Sequence, residues 1–338
     1  MIEFTKVHGN GNDFIVLENL NSGNFESGNL SLERRYSSSD LSRFARLLCR
    51  RKFSVGADGI LVIEKPEKPE TADFAMRIFN SDGSEGEMCG NGARALARYA
   101  FEKKWAGASM RFTTLAGSMQ ARVDPPYVEL DMGELSLEGG VFGRTLEFRG
   151  REFPYVFLTA GVPHCVLLVK DYDAIGESSK IEIGRGLSRD FARFPKGSNV
   201  SFAQLISQNE AKAVTYERGV ENLTESCGTG SVAVAVAFAI VENAARVLRV
   251  RNPGGVNEVR LNFAPGDKTC HAWLKGRTAL VAEGQIREDA LYEEDFLYGE
   301  GSMKKDSLIQ ESSLNKESSL SREGPLNRES SLNRKDLS

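Results

Sequence analysis

The chain lacks four things that would each have suggested a function. It has no basic excess: 43 Lys and Arg stand against 47 Asp and Glu, a net charge of −4. Nucleic-acid binding usually needs a basic surplus or a clustered basic face, so no nucleic-acid partner is expected. No apolar run reaches the roughly 20 residues of a membrane span; the longest, 232–241, is short and lies deep in the chain. No membrane association is expected. There is no clear metal-binding cluster, so no metal is expected. Finally there is no Cys-x-x-Cys, and the five cysteines (49, 89, 165, 227, 270) are odd in number and lack framework spacing. That pattern reads as free thiols in a reducing, cytoplasmic setting. Strand-like residues 2–7 begin at once, leaving no visible signal or transit peptide.

What is present centres on two cysteines. Cys89 stands directly before Gly90-Asn91-Gly92, which runs into the alanine-rich 93–98; Cys227 stands before Gly228-Thr229-Gly230 and the run 231–241. A thiol at a helix N-terminus faces unpaired backbone N–H groups and the positive end of the helix dipole. Such thiols ionise more easily than free cysteine. The same N–H groups can hold a carboxylate, and the glycines let it come close.

The duplication goes further. Gly9 to Val16 has a counterpart in Gly161 to Leu167, and Val55 to Gly59 is echoed by Gly197 to Val200. Phe79-Asn80 precedes the first cysteine much as Tyr216-Glu217 precedes the second. Landmarks repeated in the same order point to a duplicated domain, and 338 residues suit about two domains.

In chain order, strands are expected at 2–7, 13–18, 59–64 and 73–79, with a polar loop over 20–39. Asp40 is placed to cap a helix carrying Leu41, Phe44, Ala45 and Leu48 on one face. The Cys89 helix should end near Lys104, and short strands follow over 109–131. The second half predicts strands near 144–148, 151–158, 164–169, 199–206, 212–217, 247–250, 258–263, 270–274 and 278–282. After Cys227, β-branched residues at alternate positions imitate a strand. The alanines, the length and the Gly-x-Gly opening favour a helix, apolar all round and therefore central.

The expected fold is α+β: two pseudosymmetric, β-rich, barrel-like domains, each wrapped round a central helix, with the active cleft between them. The boundaries are 1–130 for the first half and 131–277 for the second. Beyond 300 the six-residue unit 311–316 recurs as 317–322, in varied form as 323–328, and again as 329–334. A leucine every six residues fits neither helix nor strand, so 300–338 reads as a disordered low-complexity repeat tail without catalytic role.

With these residues in view the sequence closely resembles the diaminopimelate epimerase family. The resemblance rests on His8-Gly9-Asn10-Gly11-Asn12-Asp13-Phe14, Phe79-Asn80-Ser81-Asp82-Gly83-Ser84, Met88-Cys89-Gly90-Asn91-Gly92-Ala93-Arg94, Pro163-His164, Tyr216-Glu217-Arg218-Gly219 and Ser226-Cys227-Gly228-Thr229-Gly230. It covers residues 1 to about 290. It implies a cofactor-free isomerase interconverting LL- and meso-2,6-diaminopimelate, on the route to lysine and peptidoglycan, from a fold of two pseudosymmetric halves with a C-terminal segment, at about 278–292, returning to the first.

Inverting a Cα centre removes a proton from one face and returns one to the other, so a thiolate and a thiol on opposite faces are needed. The resemblance makes Cys89 and Cys227 that pair, supported by His164 and Glu217. It implies that backbone groups of Gly90, Asn91, Gly228 and Thr229 hold the substrate carboxylate, and that Asn12, Asn80, Asn199, Glu217 and Arg218 contact substrate. The family often forms homodimers. Two positions depart from some members: Val162 replaces an Asn before Pro-His, and Gly59 replaces a Gln. Cys49, Cys165 and Cys270 read as small buried hydrophobes, and Arg94 and Arg98 as solvated or structural. Alternatives are a racemase or epimerase of proline or hydroxyproline type and, from another class, a thiol redox protein.

Overall fold

The computed structural model describes residues 1–20 and 36–291; most of the expected 20–39 loop and the whole 300–338 repeat tail lie outside the described residues. The first half runs β1 (Ile2–Gly9), β2 (Asn12–Glu18), α1 (Ser38–Leu48), β3 (Gly59–Glu64), β4 (Phe74–Asn80), β5 (Glu85–Gly86), α2 (Gly90–Glu102), β6 (Ser109–Thr114), β7 (Gly117–Asp124) and β8 (Tyr127–Ser136). After β9 (Val141–Phe148) the same order returns. It runs β10 (Arg151–Ala160), β11 (Val162–Leu168), α3 (Glu177–Ser188), β12 (Asn199–Ser207), β13 (Glu210–Glu217), β14 (Asn222–Thr224), α4 (Gly228–Val241), β15 (Val247–Asn252), β16 (Gly255–Asn262) and β17 (Thr269–Ile286). Pairing directions repeat as well: β2–β3 matches β11–β12, both parallel, and β4–β6 matches β13–β15, both parallel. The duplicated α+β fold predicted from the landmarks is therefore present.

Eight strands close on themselves in the order β1–β2–β3–β4–β6–β7–β8–β17 and back to β1. Inward side chains alternate along β4, where Phe74, Met76 and Ile78 are buried, as period-two patterning requires. They pack on Leu96, Ala97 and Ala100 of α2. The second ladder, β10 to β13 and then β15 to β17, surrounds α4. In α4 Val232, Val234 and Val236 are all fully buried. Tertiary burial, at about 1.5–3 kcal/mol for each such side chain, outweighs the modest reluctance of valine to be helical.

Three local expectations change. Ser37 caps α1, and Asp40 returns the bond from the third helical position, forming a capping box. Helix α3 was not anticipated, although it is the counterpart of α1 in the repeat. The two strands expected at 270–274 and 278–282 are one, the 18-residue β17. Its first part pairs with β8 and its last part, from Thr278 to Ile286, with β1. A single strand thus serves both halves and fixes how the two cysteine helices meet.

Candidate active site

Each sequence-predicted cysteine is the residue before its helix. Cys89 precedes α2 with φ −134 and ψ 121, and Cys227 precedes α4 with φ −105 and ψ 114. Extended backbone at these caps aims the thiols past the first helical turn, where free N–H groups concentrate. Gly230 N donates to Cys227 Sγ at 3.3 Å. The two turns abut: a Cβ built on Gly228 would lie 3.8 Å from Gly90 Cα. Asn91 Nδ2 also donates to Ser226 O at 2.6 Å. Asn12 joins the first turn, its Oδ1 lying 3.6 Å from Cys89 Sγ and 3.5 Å from Asn91 Nδ2.

Around Cys227 stand three more expected residues. Thr229 Oγ1 is 3.6 Å from the Cys227 sulfur and 3.0 Å from His164 Nε2. Glu217 Oε1 accepts from Thr224 Oγ1 at 2.6 Å. Burial raises the Glu217 carboxyl above its ordinary range, opposed by hydrogen bonds from Thr224 and Cys227. His164 is completely buried, its Nδ1 has no partner, and burial drives its pKa down to about 3. It is a neutral imidazole, able to orient Thr229 but not to act as a charged acid near neutrality.

The thiols depart from the simple helix-terminus expectation. Burial pushes Cys89 up, with a further push from Glu217, while the N–H groups of Gly92 and Asn91 and the charge of Arg94 pull it down. Cys227 is raised well above its ordinary value by burial and then by Glu217, against Thr229 and Gly230. Desolvation outweighs the helix N-termini in both cases. A thiolate here needs further positive potential.

The remaining expected residues lie at strand ends. Asn80 ends β4, pairs in register with Gly59 and donates to Ser84 Oγ at 3.0 Å. Asn12 Nδ2 donates to Asp58 Oδ2 at 2.7 Å, bringing it to the same edge. In the second half Asn199 pairs in register with His164, and its Oδ1 accepts from Arg218 N at 2.9 Å. The Arg218 guanidinium donates to Lys196 O. Val162 is partly exposed at the start of β11. Gly59 has a packing reason: a Cβ there would sit 2.6 Å from Phe79 O. A separate cavity of about 320 Å³ is lined by Met88, Ala116, Gly161, Val232, Asp131 and His271 among others, and none of the expected site residues lines it.

Two residues gain importance. Arg94 is not solvated but completely buried, whereas Arg98 is paired with Glu102 at 2.7 Å near the surface. Asn257, not singled out from sequence, is fully buried and donates to Ser226 Oγ at 3.1 Å and Ser231 Oγ at 2.9 Å. It shares the inward face of β16 with Val259 and Leu261, so a polar residue on an apolar alternation was its signal. Cys49, Cys165 and Cys270 are buried among apolar neighbours, and burial raises all three thiols, Cys49 to about 12 and Cys270 to about 11. All five cysteines are free.

Comparison with known proteins agrees with the motif reading. A family profile described as Diaminopimelate epimerase matches residues 4–138 and 156–267. The diaminopimelate epimerase of Archaeoglobus fulgidus is 36% identical over 302 residues, covering 86% of this chain and 98% of its own. That of Aquifex aeolicus is 40% identical over 235 residues, covering 70% and 80%. Among solved structures, a Bacillus anthracis phenazine biosynthesis protein of the PhzF family superposes with TM-score 0.64 at 14% identity, covering 85% of this chain and 99% of that one. A hydroxyproline epimerase from Agrobacterium vitis, with bound trans-4-OH-L-proline, gives 0.60 at 14% identity, covering 84% and 90%. At such identities the two structures share the fold alone.

Proposed function

The chain belongs to the diaminopimelate epimerase family, a family of isomerases, and we propose that it interconverts LL- and meso-2,6-diaminopimelate by two-base proton transfer. The observation that carries the reading is the pair of cysteines capping two abutting helices. One of them, as thiolate, takes the Cα proton; the other, as thiol, gives its proton to the opposite face. In the reverse direction they exchange roles. Both electrons of the broken C–H bond stay on the carbanion-like centre until the new C–H bond forms, so no oxidant and no cofactor is needed.

The substrate carboxylate sits on the N–H groups of Gly90, Asn91, Gly228 and Thr229, where two helix N-termini offer charge stabilisation that needs no reorganisation. Neutral His164 holds Thr229, and Glu217 meets the reacting ammonium group. The ammonium then offsets the carboxylate that otherwise suppresses both thiols. Asn12, Asn80, Asn199 and Arg218 contact the substrate, several of them at the amino-acid end that is not inverted. Val162 contributes only apolar surface there. A reducing cytoplasm suits a mechanism that fails once the thiols pair, and the product serves lysine and peptidoglycan precursor formation.

Chiral analysis of product decides the matter. Purified, fully reduced and chelator-treated protein given LL-diaminopimelate should yield a mixture of LL and meso isomers. Turnover of proline or hydroxyproline isomers but not diaminopimelate overturns the substrate assignment. Stereochemical inertness with reversible disulfide formation makes it a redox protein.

A further inference from the structure

Arg94 lies one turn into α2, is completely buried, and among the described residues has no acidic partner. Its acceptors are neutral: Asn91 Oδ1 at 2.6 Å, Asn257 Oδ1 at 3.3 Å and Gly90 O at 3.4 Å. Its Nε–H has no partner at all. The guanidinium reaches the place where the two helices meet, Nη1 lying 3.8 Å from a Cβ built on Gly228. Gly276 of β17 leaves room for it, since a Cβ there would come within 2.7 Å of Nε and 2.9 Å of Cζ. Burying a cation with no acidic partner is expensive, and the neutral acceptors around it offset that cost only in part.

We propose that Arg94 is a positioning residue for the reaction, a buried positive charge that stabilises the Cys89 thiolate and orients Asn91 between the two cysteine turns. This rests on the functional reading above: Arg94 is the one charged side chain among the groups that hold the Cys89 thiol down, beside the N–H groups of Gly92 and Asn91. The guanidinium acts in two ways. Its field favours the ionised sulfur and the negative charge developing at Cα in a water-poor site. Its bond to Asn91 Oδ1 turns the other end of that amide, Nδ2, toward Ser226 O, aligning the N–H groups of both turns. Asn257 completes the support: it accepts from Arg94 and from Asn10 Nδ2 at 2.8 Å while donating to the α4 side.

Other ionisable groups must be counted in any titration. Glu217 on β13 raises both thiols, Cys227 faces the site from α4, and His164 on β11 is neutral. The strands β16 and β17 face the guanidinium with Asn257 and Gly276, which do not titrate.

The test follows Cys89 directly, without substrate. Iodoacetamide labelling of Cys89, read by peptide mass spectrometry across neutral to alkaline pH, is compared in wild type, Arg94→Met and Arg94→Lys. Arg94→Met should move the labelling profile to higher pH, slow labelling at neutral pH about tenfold or more, and lower kcat by about 100-fold. Arg94→Lys, which keeps the charge, should stay closer to wild type in labelling. If Arg94→Met does not fold, Gly276→Ala displaces the guanidinium without removing it and should move the profile in the same direction. Folded variants whose labelling and kcat match wild type would overturn the proposal. A wild type that turns over no diaminopimelate while its Cys89 labelling still depends on Arg94 would sink the functional reading and leave the charge role standing.

Discussion

Asn91 donates its side-chain amide to the main-chain carbonyl of Ser226 at 2.6 Å, joining the turn that opens α2 to the residue before Cys227. This buried bond ties the two cysteine turns to each other. Asn91→Ala would leave Ser226 O and the Arg94 guanidinium short of partners. We expect a loss of about 1–3 kcal/mol in stability, the usual result of orphaning a buried polar group. Turnover should fall by more than tenfold, because misaligned N–H groups hold the transition state less well. Denaturant titration and steady-state kinetics on the same preparation check both.

His164 gives a pH signature. Its folded pKa is depressed to about 3 from an ordinary 6.5, so the unfolded chain binds a proton that the folded one refuses. The stability this group contributes is complete above pH 6.5 and is lost as pH falls from there toward 3, at up to about 1.4 kcal/mol per pH unit. His164→Asn should flatten that part of the stability profile. Melting temperatures across mildly acidic pH measure it; an unchanged slope would contradict a neutral, buried imidazole.

Glu217 should act on the thiols with the sign opposite to that of Arg94. Its carboxylate raises both cysteines, so Glu217→Gln should speed alkylation of Cys89 and Cys227 at neutral pH. Epimerisation should nevertheless fall, by about 100-fold or more, if this carboxylate meets the ammonium group as proposed. Faster labelling together with slower turnover separates this role from a purely structural one.

Much of this arrangement was legible in the sequence because it is written twice. Gly59 and Asn199 open β3 and β12, Asn80 and Glu217 close β4 and β13, and Gly9 closes β1 while Gly161 directly follows β10. Helix α4 could be told from a strand by its Gly-x-Gly opening despite its valines. The missed parts depend on tertiary context. Helix α3 buries only a few side chains, among them Ile183 and Leu187, so its own pattern is weak and only the repeat could have predicted it. Gly276 reads as a break between two strands; in β17 it is the space that Arg94 fills. Arg94 itself looked like an ordinary helix-surface residue, because nothing local announces that three elements will close over it. The same holds for the thiols, whose helix-terminus position was readable while the desolvation that outweighs it was not.

The central claim is that Cys89 and Cys227 serve opposite faces of one Cα, and single serine variants in deuterated water test it most directly. Serine can donate a proton but is a far weaker base near neutral pH, so each variant keeps one competent base. Solvent deuterium exchange at Cα, or elimination from a β-halogenated analogue, is followed for each stereoisomer separately. The account predicts that Cys89→Ser and Cys227→Ser process opposite isomers, and that replacing either cysteine by Ala abolishes epimerisation. The same isomer preference in both serine variants, or an unimpaired alanine variant, would contradict it.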